Sequence, residues 1–205
     1  MPNPFDTIIP VFPNLIHCIK VDNFKDIQED LINFVYEEES LDPIGVIKSN
    51  EGGWQSKAIY SHKESIVRST LENTLSNYFS NTDIFSHNKQ ITISNSWLNI
   101  NRNRDNNRLH NHPETDLSGV FWIKIPENCD AGRIQFPSPY DFLESKVLKL
   151  YSENVKKSFN EYDTYHFQST EGIILIFPAH LMHEVRENKS REDRISLSFN
   201  LHINK

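Results

Sequence analysis

A mainly β domain, a sandwich or barrel carrying an N-terminal helical layer, is what the sequence predicts, and three observations predict it. From residue 91 onward, short apolar or alternating runs recur between polar loops: ITISNSWLNI, LSGVFWIKIP, RIQF, TYHFQS, IILIF and RISLSFNLHI. Two stretches with helical periodicity precede them. One run, Ile173 to Phe177, is continuously apolar, as in a strand buried on both faces.

Taken in order, Val11 to Val21 (VFPNLIHCIKV) reads as a first strand despite Pro13. Asp22 or Asn23 can cap a following helix, in which Phe24, Ile27, Leu31 and Val35 share one face. A Gly/Pro-containing loop (DPIGVIKSNEGGWQS) leads to a second helix from about Lys63 to Phe79, with Val67, Leu71, Leu75 and Tyr78 on its apolar face. The six β-type runs come next, interrupted once. Between Asp141 and Phe159, Leu143, Val147, Leu150 or Tyr151, Val155 and Phe159 recur at helical spacing. That segment predicts a helix that either covers a sheet edge or forms a lid over the barrel mouth. With no repeat and no linker, one domain is expected over residues 1–205. Residues 1–90 form its N-terminal strand and supporting helices; residues 91–205 form its core, with an insertion or lid at 141–162.

Composition bounds the function. A hydrophobic fraction of 37% with 13 Phe, 7 Tyr and 3 Trp supplies a sizeable aromatic core. The net charge of −7 argues against a broad nucleic-acid surface or a polybasic membrane patch. Cys18 and Cys129 are too few for a disulfide scaffold or a thiolate metal site. The start MPNPFDTIIPVFP lacks a signal-peptide pattern, and no window has the length of apolar chain a membrane span needs. A cytoplasmic protein is therefore expected.

The chemistry sits in LHNHPETDLSGVFW, residues 109–122. Alternate side chains of a strand share a face, so His110 and His112 can point at one spot. The pair alone is weak, because nine histidines in 205 positions give about 0.4 such pairs by chance. Context strengthens it. The buried strand in GIILIFPAHLMHEV ends at Pro178, and His180 and His183 follow at once, competing for a place at a barrel rim. In RISLSFNLHI, Ile195, Leu197, Phe199, Leu201 and Ile203 form an apolar face, while Arg194, Ser196, Ser198, Asn200 and His202 form a polar one. Small hydroxyls and an amide behind one arginine suit a wet pocket, and an Arg-x-Ser pair matches a carboxylate.

HNHPETDLSGVFWIKIP, GRIQFPSP, GIILIFPAHLMHEV and RISLSFN, in this order, resemble the iron(II)/2-oxoglutarate-dependent oxygenases of bacteria and their phages, and GGWQS at 52–56 matches as well. The resemblance covers roughly residues 45–60 and 90–201. It implies a double-stranded β-helix, a jelly-roll barrel open at one end. It further implies Fe(II), 2-oxoglutarate and O2 as cofactor and co-substrates, with hydroxylation of an unidentified substrate and release of succinate and CO2.

Carried over residue by residue, the resemblance makes His110 the first metal ligand and His183 the distal one. Arg194 would meet the far carboxylate of 2-oxoglutarate, assisted by Ser196, and Trp97, Asn99 and Asn200 would line the pocket. Most such oxygenases have a carboxylate where His112 stands, giving two imidazoles and one carboxylate. A three-histidine site (His110, His112, His183) is favoured; a frame shifted by two, with His112 and Glu114 as the His-x-Glu pair, remains open. Pro113 disfavours a regular strand there. Two other classes also stay open: a zinc hydrolase or hydratase with three histidines, and a non-catalytic jelly-roll binding module. The expected partner is a small-molecule or peptide substrate rather than a membrane or nucleic acid, with a homo-oligomer left open.

Overall fold

The computed structural model describes residues 14–59, 65–85, 89–127, 132–139, 146–159 and 163–204. It holds two antiparallel sheets packed face to face, with the two N-terminal helices on the outer side of the larger one. The elements run β1 (His17–Lys20), α1 (Phe24–Leu41), β2 (Asn50–Glu51), β3 (Trp54–Gln55), α2 (Ile66–Ser80), β4 (Gln90–Asn101), β5 (Asn106–His110) and β6 (Leu117–Lys124). They continue with β7 (Ile134–Pro137), α3 (Glu153–Phe159), β8 (Thr164–Phe167), β9 (Ile173–Pro178), β10 (His183–Val185) and β11 (Arg194–Asn204). The six-stranded sheet has the order β1-β9-β6-β11-β4-β3, and the five-stranded sheet β2-β5-β10-β7-β8. The expected jelly-roll architecture is present.

The larger sheet has two faces with different partners, and strand alternation decides which residue goes where. On β11, Ile195, Leu197, Phe199 and Leu201 are buried in one cluster with Leu31 and Val35 of α1 and Val67, Leu71 and Leu75 of α2. Val120, Trp122, Leu175 and Phe177, from β6 and β9, face the other way and pack with Ile134 and Phe136 of β7 between the sheets. Trp122 stacks on Phe167 at 5.5 Å and so closes one side of that inner layer. Gly119 keeps the two faces compatible. A Cβ there would lie 2.3 Å from the Phe199 ring and 2.8 Å from the Leu175 carbonyl.

All six expected β-type runs are strands. The two N-terminal helices also form, with corrected ends. Asn23 is the cap of α1 by position, but it adopts a left-handed conformation (φ 51°) and makes no side-chain cap bond. α2 begins at Ile66, where the Ser65 side chain accepts from the Arg68 N–H and fixes the start; Lys63, the expected start, lies outside the described residues. Of the strand expected from Val11, residues 11–13 lie outside the described residues, and pairing with β9 covers His17–Lys20.

The insertion differs from its expectation. Residues 146–148 are helical, the chain turns at 149–150, and α3 starts only at Glu153, so one continuous helical period does not cross the segment. Leu148 is buried while Val147, Leu150 and Tyr151 are exposed, which offsets the inward face from the expected one. Leu143, with the rest of 140–145, and residues 160–162 lie outside the described residues, as does Cys129. Cys18 is an exposed free thiol. No described helix is long and apolar enough to cross a membrane.

Gly119→Ala should lower the unfolding free energy by about 1–3 kcal/mol, because the new methyl meets both the Phe199 ring and backbone. Urea unfolding of the two proteins reads this directly; an unchanged midpoint would mean that Phe199 can move aside without loss of packing.

Candidate metal centre and adjoining pocket

The three histidines meet at the end of the smaller sheet. His183, the first residue of β10, is the direct cross-strand partner of His110, the last residue of β5. Side chains so paired stand close by construction, and these ring centroids are 4.3 Å apart. His112 lies just past β5, where its backbone N–H donates to the Ala179 carbonyl at 2.9 Å and holds the loop against the chain leaving β9. Its ring centroid is 5.0 Å from that of His110 and 5.3 Å from that of His183. One nitrogen from each ring falls within 4.8 Å of the others. That is close to the roughly 4 Å which two metal–imidazole bonds of about 2 Å can bridge across one ion.

Two of the rings are oriented by their second nitrogen. His110 Nδ1–H donates to the Arg108 carbonyl at 2.6 Å, and His183 Nδ1–H to the Leu181 carbonyl at 3.0 Å. A ring whose Nδ1 carries the proton offers Nε2 as a lone-pair donor, the arrangement that metal-binding histidines use. Phe177 and Phe136 pack on His183, with ring centroids at 4.7 and 6.0 Å, and Trp97 lies 5.7 Å from His112.

This apolar cover keeps the imidazoles neutral. Burial, then the neighbouring His110 charge, pulls His183 down to about 3. Burial and His110 likewise bring His112 to about 4, and burial lowers His110. Neutral imidazole is the form that can donate to a metal.

From the triad a pocket runs along the inner face of β4 and β11 to Arg194, and Trp97, Asn99, Ser196 and Ser198 line it. The register makes this wall: Ser196 pairs with Asn99 and Ser198 with Trp97. Arg194 is only 1% exposed, and its Nη1 donates to the Arg186 carbonyl at 3.0 Å. Gly132 makes room for it, since a Cβ there would lie 2.2 Å from that Nη1. Asn99, 4% exposed, donates to Ser198 Oγ at 3.1 Å and has no partner for Oδ1. Turning the amide over would keep the serine bond and aim Nδ2–H into the pocket. A buried cation, two hydroxyls and an unsatisfied amide beside three neutral imidazoles suit an anion that also reaches a metal. The residues therefore fit both an iron ion and 2-oxoglutarate.

The residues singled out in the sequence thus separate. His110, His112, His183, Arg194, Ser196, Trp97 and Asn99 line one pocket. Asn200 lines a neighbouring open trough instead, and its Oδ1 accepts from Ser118 Oγ at 2.9 Å. His180 and Glu114 are exposed and stand outside the triad. Sequence reasoning missed Phe136 and Phe177 as packing for His183, and Ser118; the two-residue spacing of Ser118 from Val120 and Trp122 in SGVFW carried the last signal.

A family model described as "Putative 2OG-Fe(II) oxygenase" matches residues 95–200. No curated protein sequence matches the chain. Among solved structures, the chain is similar to a Pseudomonas putida prolyl-4-hydroxylase, with a TM-score of 0.64, 11% identity, and 93% of each chain covered. It is similar to a Trichoplax adhaerens prolyl hydroxylase in complex with a hypoxia inducible factor peptide fragment (0.64, 10%, covering 91% of this chain and 83% of that one). A viral collagen prolyl hydroxylase from Paramecium Bursaria Chlorella virus-1, solved with 2-oxoglutarate, is a third (0.60, 12%, covering 91% and 94%).

Acid should expose the burial of the triad in the metal-free protein. Each histidine titrates near 6.5 when unfolded, and His112 and His183 near 4 and 3 when folded. Below about pH 6.5 the unfolded chain binds protons that the folded chain does not, so stability falls with pH toward those lower values. For buried His183 the slope should approach about 1.4 kcal/mol per pH unit. Urea unfolding at pH 7, 6 and 5 should show a flatter dependence for His183→Phe; parallel curves would contradict the assignment.

Proposed function

The chain belongs to the 2OG-Fe(II) oxygenase family, and from that premise we propose that it is a dioxygenase that hydroxylates a C–H bond of its substrate while converting 2-oxoglutarate and O2 to succinate and CO2. The observation that carries this reading is a convergent set of three imidazoles and a buried arginine in one pocket. Iron(II) with bound 2-oxoglutarate supplies the oxidation through decarboxylation of that co-substrate. The protein binds, orients and shields.

His110, His112 and His183 would hold the iron through one nitrogen each. Three neutral donors would leave the charge of such an ion to attract the anionic end of 2-oxoglutarate. Arg194 takes the far carboxylate with its planar fork, in a site dry enough for the pair to be strong. Ser196 adds a hydroxyl, and Asn99 holds the middle of the pocket through its tie to Ser198. Phe136, Phe177 and Trp97 keep water from the imidazoles. Neither a zinc hydrolase nor a binding module calls for Arg194 and Ser196 in the same pocket as the three histidines.

Arg194→Ala should weaken 2-oxoglutarate binding by about 10-fold to several hundred-fold, since a charge-assisted contact of about 1.5–3 kcal/mol is lost and the carboxylate is left unpaired. Arg194→Lys should recover only part of this, because the charge returns without the fork. Iron content should stay near that of the parent protein. Anaerobic calorimetry measures both quantities, and tight 2-oxoglutarate binding in Arg194→Ala would remove the co-substrate assignment. The parent protein should also release succinate in an iron- and O2-dependent way.

A further inference from the structure

The buried carboxamide oxygens without a partner among the described residues are those of Gln55, Asn95 and Asn99, and all three stand on one wall. Gln55 of β3 pairs with Asn99 of β4, while Asn95 lies four residues along β4 on the same face. Asn99 belongs to the pocket that leads to Arg194. Gln55 and Asn95 instead line an open trough that His110 and His112 also border, together with Trp97, Asn200 and Leu109. Gln55 is only 6% exposed, yet its side chain has no use within the fold so far described. Buried amides normally find partners, so unsatisfied ones gathered on one wall point to a ligand.

Resting on the oxygenase reading, we propose that this trough is the prime-substrate subsite and that it takes an extended polypeptide segment, anchored through its backbone amides by Gln55 and Asn95. Spacing argues for a chain. Four residues of β4 plus one inter-strand step set the Cα atoms of Gln55 and Asn95 about 14 Å apart. An extended peptide needs about four or five residues to span that distance, and a single amino acid cannot. A carboxamide presents one donor and one acceptor edge, the same pair that a peptide group presents. Trp97 lies midway between the anchors with its ring 5.7 Å from His112, so the middle of the bound chain passes the triad. The trough is also open: Lys48, Lys57, Arg108, Leu109 and Glu114 along it are exposed, unlike the enclosed walls of a small-molecule site. A net charge of −7 is unfavourable for a nucleic acid.

The test uses end-blocked randomised peptide libraries of three, five and eight residues, free amino acids, and a single-stranded oligonucleotide as probes. Each is added to the iron(II) enzyme with 2-oxoglutarate, and succinate release and a 16 Da gain on the probe are read. Stimulation should appear between three and five residues and persist at eight. Gln55→Leu and Asn95→Leu should each raise the half-saturating concentration of the eight-residue library about 5- to 10-fold, with a smaller change in kcat. Amino acids or three-residue peptides that stimulate as well as eight-residue ones would overturn the proposal. So would stimulation by the oligonucleotide alone, or basal succinate release that no peptide raises. Absence of iron-dependent succinate in every arm would instead remove the oxygenase reading. In that case retention of the eight-residue library by the immobilised full chain, lost in the double variant Gln55→Leu/Asn95→Leu, would still support the trough; no retention would end it.

Discussion

The antiparallel pairing of β5 with β10 is the constraint on which the site depends. Both strands are short, and β5 (NNRLH) is almost wholly polar. Neither forms through local preference. β5 is held by β2 on one side and β10 on the other, and β10 by β5 and β7. Once that pairing exists, His183 stands opposite His110 and the two rings must meet. His112 then needs only the Ala179 carbonyl to bring it round. The cluster of three histidines is thus largely a product of sheet register, with His112 placed by the loop that follows β5.

The larger sheet supplies the other half through its two faces. On β4 and β11 the apolar positions go to the helices, and the polar positions become the pocket wall. The same strand that buries Ile195 and Leu197 against the helical layer turns Arg194 and Ser196 inward. A one-residue slip would exchange those faces and destroy core and pocket together. Stability and chemistry are therefore selected by one register. Gly119 and Gly132 protect it at two crowded points, one under Phe199 and one beside Arg194.

Much of this was legible in the sequence because alternation is a strong signal when one face is apolar. The six apolar strands and the pocket face of β11 followed from it, whereas Trp97 and Asn99 on β4 came from the family resemblance. The paired histidines drew attention because they stood at the mouth of an apolar run. β2, β3, β5 and β10 were not legible, since two- to five-residue polar strands have no pattern of their own and exist through their partners. The 141–159 periodicity misled for the opposite reason: apolar residues kept a helical spacing across a turn that ends the helix after Leu148. Gln55 and Asn95 carried no local signal, because an amide becomes informative only when its lack of a partner is seen.

Three neutral imidazoles with no carboxylate form the central claim, and an anaerobic crystal structure of the iron(II)–2-oxoglutarate complex tests it most directly. The account predicts iron bound by one nitrogen each from His110, His112 and His183, with the far carboxylate of 2-oxoglutarate on Arg194. Iron bound by Glu114, or His112 turned away from the ion with solvent in its place, would contradict it.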